Sequence, residues 1–255
     1  MALWRQRSKA FAKGSCTKDR LLKLTGRALP STSVTVQAVV FDFDGTIFDT
    51  ETVTYDAVAD VYAAHQRLLD PVWWATMIGT TVDAADAALE QLASDVGLDI
   101  GFVMVETRAR VRELLRSARP RPGVEALVKE CQAADVPIGI ATSAPRNWVE
   151  HHLANLGMLA DFPVVVPVDE VTFAKPHPEP YTTACRLLDA DPRWSVAIED
   201  SLPGVTSAVA AGLFTLGVAS HLTRHHGLSH AHQLHDSLEA VHLADLHRAI
   251  QTRSS

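Results

Sequence analysis

The chain has 255 residues, 47% of them hydrophobic, enough to bury one full core and to carry a sizeable insertion. Its formal charge of −7 gives no reason to expect nucleic acid or an anionic membrane surface as a partner. The three cysteines, Cys16, Cys131 and Cys185, stand far apart in no metal-ligand spacing, which argues for a reducing, cytoplasmic setting rather than a disulfide scaffold.

In chain order, Met1 to Pro30 comes first, with eight Lys or Arg residues and a single acid, Asp19. It lacks the apolar centre of a secretory signal. That leaves an organellar transit peptide or, as the favoured expectation, a disordered basic extension over residues 1–33. Beyond it, short apolar runs predict strands at Val36–Phe41, Ile138–Thr142, Phe162–Pro167, Ser195–Ile198 and Phe214–Val218. Between the later runs lie helical stretches at Val124–Ala134, Asn147–Leu156, Pro180–Leu188 and Gly204–Ala211. Such alternation predicts an α/β fold with a doubly wound, mostly parallel, Rossmann-like sheet.

One connection breaks the rhythm. From Thr50 to Arg121 there is no strand pattern, only helical stretches at Val53–Leu68, Val82–Val96 and Val103–Leu115. That length predicts an inserted α-helical cap domain after the first strand, over residues 51–119. The core then comprises 34–50 and 120–255, and Pro120 and Pro122-Gly123 form the return hinge. The longest apolar run, Ala208 to Ala219, holds two glycines and reads as a helix end followed by a strand, not as a membrane span.

The strongest chemical signal runs Phe41-Asp42-Phe43-Asp44-Gly45-Thr46, directly after the first strand. Carboxylates at i and i+2 leave a strand end near a common point, and Gly45 permits a sharp turn. One acid can attack phosphorus while the other handles the leaving-group proton. An EF-hand loop is excluded, because Gly45 at its sixth position would make Val40 the first ligand. Helix capping explains the pair poorly, since Asp49 and Thr50 are better placed for it. Further pieces follow later strands. Thr142 and Ser143 precede a helix whose free N–H groups could hold a phosphate, and simple N-capping accounts for them equally well. Lys175 lies in a Pro-bracketed loop, and Glu199-Asp200 ends an apolar strand, where acids suggest a hard cation.

Taken together, the Asp-x-Asp-Gly-Thr opening, the hydroxyl, the lysine and the acid pair resemble the haloacid dehalogenase-like superfamily. The likeness runs from about Val34 to Leu246. Glu199-Asp200-Ser201-Leu202-Pro203-Gly204-Val205 and the helical insert are similar to its β-phosphoglucomutase-like sugar phosphatases and mutases. The resemblance implies a Mg²⁺-dependent phosphatase acting on a small phosphorylated metabolite, as a monomer or weak homodimer. Asp42 is the implied nucleophile and Asp44 the general acid, then base. Thr142, Ser143 and Lys175 are implied to bind the phosphoryl group. Asp42, the Asp44 carbonyl, Glu199 and Asp200 are the implied metal ligands.

At ~4 Å and an effective dielectric of ~20, each like-charged pair in such a site costs on the order of 4 kcal/mol. One carboxyl should therefore keep its proton, and Asp44 is the candidate.

Asp44 itself argues against dehalogenation, because the dehalogenases proper lack that second aspartate. Thr54 and Val82 stand where the mutases carry a histidine and an arginine, which favours hydrolysis over mutase chemistry; a non-catalytic binding protein on the same fold is the third possibility. Ala174 and Glu179 replace a glycine and an aspartate common in relatives, and Glu179 could alter how the lysine loop is anchored. Arg146 is a possible substrate contact. Trp73, Trp74 and Met77 either shape a lid or pack the cap core. Eight histidines fall between His221 and His247; His221, His225 and His226 show no recognisable zinc arrangement.

Overall fold

The computed structural model describes residues 35–77, 82–116, 119–219, 222 and 228–253. The basic opening stretch, Cys16, His221, His225 and His226 lie outside them. So does the side chain of Val82.

Among the described residues six strands form one all-parallel sheet: β1 (Ala38–Phe41), β2 (Ile138–Ala141), β3 (Val164–Val166), β4 (Ser195–Glu199), β5 (Phe214–Val218) and β6 (Gln233–His235). Their order is β3-β2-β1-β4-β5-β6, a doubly wound arrangement whose direction of winding reverses beside β1. At such a switch point the strand ends leave a crevice for ligand.

The strands are apolar on both faces because both faces are covered. Val39 and Phe41 of β1, with Ile138 and Ile140 of β2, pack against α5 (Val124–Ala133), α6 (Arg146–Leu156) and α9 (Leu243–Arg253). Val40, Ala141 and Ala197 face the other way, onto α7 (Glu179–Leu187) and α8 (Leu202–Ala210). Cys131 and Cys185 are free, buried on opposite faces of the sheet. Among the described residues no helix is long and apolar enough to cross a membrane.

Between β1 and Pro120 the elements among the described residues are all helices: α1 (Thr50–Ala64), α2 (Pro71–Ala75), α3 (Val82–Val96) and α4 (Ile100–Leu115). Aspartates fix three of their starts. Asp49 accepts from the Thr52 N–H, Asp70 from Val72 and Asp99 from Phe102. These helices have their own apolar cluster, built on Val58, Tyr62, Trp74, Leu89 and Val103. Trp74 is thus a core residue, edge-on to Tyr55, while Trp73 and Met77 are only half-buried. The return point is pinned twice: Phe48 bridges to Pro120, and the Arg121 N–H donates to the Ile47 carbonyl at 2.8 Å.

Candidate active site

The strands β1 to β4, or the loops that follow them, deliver polar side chains to the same end of the sheet. Asp42 follows β1 directly, Thr142 follows β2, Lys175 lies in the loop after β3, Glu199 ends β4 and Asp200 follows it. All five side chains are buried.

Lys175 is the hub. Its Nζ donates to Asp42 Oδ1 at 2.6 Å and to Glu199 Oε1 at 2.5 Å, and lies 5.1 Å from the centre of the Tyr181 ring. Burial works against its charge, but Asp42 and Glu199 more than offset this and push its pKa up. Two acceptors therefore fix one ammonium beside the candidate nucleophile. The loop that carries it is held from below, because the Glu179 carboxylate accepts from the N–H groups of Thr172 and Phe173 at 2.8 and 2.9 Å. Glu179 thus anchors the lysine loop.

Glu199 is saturated. Besides Lys175, its Oε1 accepts from the Tyr181 hydroxyl at 2.7 Å, and its Oε2 from Asp200 N, Ser201 N and Ser201 Oγ. Five donors leave little of a carboxylate's accepting capacity unused. Asp200 is the opposite case: fully buried, with neither carboxylate oxygen hydrogen-bonded among the described residues. Burial, then Asp42 and Glu199, drive its pKa well above the usual carboxylate range. A buried, unpartnered carboxylate needs an explanation.

A cation would supply one. Oxygen atoms of Asp42, Glu199 and Asp200 lie within 4.8 Å of one another, a hard-donor set suited to a divalent metal. Two glycines make room for these acids. A Cβ on Gly45, whose φ is 84°, would sit 2.1 Å from Asp200 Oδ2; a Cβ on Gly204 would sit 1.9 Å from Glu199 Oε1. Glu199 can step aside only by disrupting the hydrogen bonds of its five donors. Gly204→Ala should cost about 2 kcal/mol of stability and displace Lys175 with it. Chemical denaturation alongside a turnover assay checks this; an unchanged midpoint and rate would show that the carboxylate is not so tightly held.

Asp44 is set apart from that cluster. Its Oδ1 accepts from the Thr50 hydroxyl at 2.5 Å and from Trp148 Nε1 at 3.0 Å. Burial raises its pKa, and these two donors pull the other way. The turn carrying it is clamped by Arg121, whose guanidinium donates to the Gly45, Val218 and Ala219 carbonyls. Glu51 completes the acid group, its pKa lifted to about 8 by burial and by Asp44, Asp42 and Asp49.

Above the acids lies a cavity of about 890 Å³, lined by Asp42, Asp44, Thr142 and Ser143 on the sheet side and by Trp73, Met77 and α4 on the helical side. The Thr142 hydroxyl accepts from Ala144 N at 3.0 Å, so it caps the turn it also presents to the cavity. Thr54 lines the cavity as well. Arg146, expected as a possible substrate contact, is not among the cavity-lining residues. Its guanidinium is spent on Glu170, Glu150 and the Val165 carbonyl, where two acids outcompete the cavity for it. Tyr181, Trp148 and Arg121 went unnoticed in the sequence, since their partners lie 18, 104 and 76 residues away.

The fold and this acid–lysine constellation define the class. Residues 39–218 match haloacid dehalogenase-like hydrolase, and the chain belongs to that family. Its relatives narrow the field. It is 33% identical over 190 residues to YhcW of Bacillus subtilis (strain 168), itself a proposed phosphatase, covering 74% of this chain and 86% of that protein. It is 30% identical over 185 residues to the validoxylamine A 7'-phosphate phosphatase of Streptomyces hygroscopicus subsp. limoneus, covering 72% of this chain and 86% of that protein. Among solved structures, CbbY from Rhodobacter sphaeroides in complex with phosphate superposes with a TM-score of 0.65 at 29% identity, covering 83% of this chain and 99% of CbbY.

Proposed function

We propose that this chain, a phosphatase of the haloacid dehalogenase-like family, hydrolyses a small phosphate monoester, in the first instance a sugar phosphate, with Mg²⁺ and through an aspartyl-phosphate on Asp42. The observation that carries the reading is the buried Asp42–Lys175–Glu199 network beside the unpartnered carboxylate of Asp200.

In this reading Asp42 attacks the phosphorus, and the bond to the ester oxygen breaks. Lys175 keeps the attacking carboxylate oriented and balances part of the incoming negative charge, while Thr142 and the Ser143 N–H hold the phosphoryl oxygens. Asp44, whose pKa burial raises, gives its proton to the leaving oxygen. The same carboxylate then takes a proton from water, which cleaves the acyl-phosphate and restores Asp42. Asp42, Asp200 and the Asp44 main-chain carbonyl would hold the cation, with Glu199 at its edge chiefly orienting Lys175. When bound, the cation would neutralise charge on the phosphoryl oxygens and on the carboxylates. Residues 51–119 act as a cap that shuts the cavity during attack and admits water afterwards. Thr54 offers no group to retain and turn a sugar phosphate, so hydrolysis is favoured over phosphate transfer within a sugar.

The test is phosphate release from a panel of phosphorylated metabolites. Release should require Mg²⁺, stop on addition of a chelator and return when Mg²⁺ is restored. Undiminished release in excess chelator would overturn the reading.

A further inference from the structure

We infer that α4 carries an anion-reading face, on which Arg108, Arg112 and Arg116 select substrates bearing a second negative group away from the phosphate that is removed. The inference rests on the phosphatase reading above and adds to it the charge of the substrate's far end.

Spacing of i, i+4 and i+8 puts the three arginines in one row along the helix. The row faces the cavity, as do the neighbouring Thr107, Val111 and Leu115. Like charges at i, i+4 destabilise a helix, so the row carries a cost that an opposite charge would offset. Among the described residues no carboxylate lies within ion-pair distance of any of the three, although Asp86 lines the same cavity. Arg110, on the same helix but off the row, is instead paired with Asp60 at 3.8 Å and Glu113 at 3.3 Å. The helix thus quenches the arginine that points away from the cavity and leaves the three that face it.

On the floor, Lys175, Thr142 and Ser143 already serve the phosphoryl group at Asp42. The arginine row spans about 12 Å of helix on the opposite wall, so it fronts the part of a bound substrate remote from Asp42. A guanidinium fork matches carboxylate or phosphate in two-point contact. A phosphorylated acid or a bisphosphate supplies the required chemistry. A phosphate ester with a neutral tail does not.

The test is selectivity, measured as kcat/KM on matched pairs. Phosphoglycolate is compared with 2-hydroxyethyl phosphate, and a hexose 1,6-bisphosphate with the hexose 6-phosphate. The intact protein should prefer the member with the second anion in at least one pair, and which pair tells carboxylate from phosphate. Arg112→Gln should reduce that preference about tenfold, mostly through KM, and Arg108→Gln or Arg116→Gln should reduce it in the same sense. Raising the salt concentration should erode the preference in the intact protein. A preference unchanged in all three variants, or equal losses on both members of each pair, would overturn the inference. Failure of every phosphate ester to turn over would instead count against the phosphatase reading.

Discussion

Asp42→Asn should lower kcat by about 10⁴-fold or more while leaving the protein folded. The substitution keeps size and an oxygen able to accept from Lys175, but removes the nucleophile, and losses of this order follow deletion of a covalent catalytic group. Stability should move in the other direction. Burial, only partly countered by Lys175, raises the Asp42 pKa from 3.8 to about 7. Between those values the folded state holds a proton that the unfolded chain has given up, so stability falls as pH rises through that window. Asparagine has no such proton to lose. In metal-free buffer above pH 7 the variant should therefore unfold at higher denaturant than the parent. An inactive variant that is also less stable would point to misfolding rather than to a lost nucleophile.

Lys175→Met carries the second large effect, this time on stability as well as rate. Methionine retains much of the side chain's bulk beneath Tyr181 but leaves Asp42 and Glu199 without their shared cation. Breaking a buried pair from one side costs roughly 3 kcal/mol. The deficit should be largest above pH 7, where the Asp42 carboxyl is ionised in the parent. It should shrink at lower pH, as that carboxyl protonates and one fewer buried anion is left unpaired. Denaturant midpoints in chelator from pH 5 to pH 8 check this. A deficit independent of pH would mean that lost packing, not lost charge, dominates.

Both effects concern residues that the sequence singles out before the fold is known. Strands covered on two faces leave continuous apolar runs, so β1 to β5 were legible, and their order put Asp42, Thr142, Lys175 and the Glu199-Asp200 pair at one sheet edge. Ends were less so. β1 begins at Ala38 rather than Val36, because the Val36 N–H is taken by His247 Nδ1. β3 stops short of Phe162, which instead packs edge-on against Phe41. β6, with two of its three residues exposed, has no apolar signature and hid in a histidine-rich stretch. The five-residue α2 is too short to show a helical period and read only as an aromatic pair.

In the site, residue type was legible and pairing was not. Glu199 and Asp200 look equivalent in sequence, yet among the described residues five donors occupy one and none the other. Arg146 drew notice by lying near Thr142, but Glu150 and Glu170 hold it elsewhere. The arginines of α4 are not singled out, because nothing local in the sequence says that their face fronts a cavity.

A phosphoryl group caught on Asp42 is the most direct test of the whole account. Enzyme quenched in acid during turnover, digested and analysed by mass spectrometry should carry one acid-stable, alkali-labile phosphate on the peptide containing Asp42. Detection of that adduct on Asp44 or on any other side chain, or its absence under conditions that preserve acyl-phosphates, would contradict it.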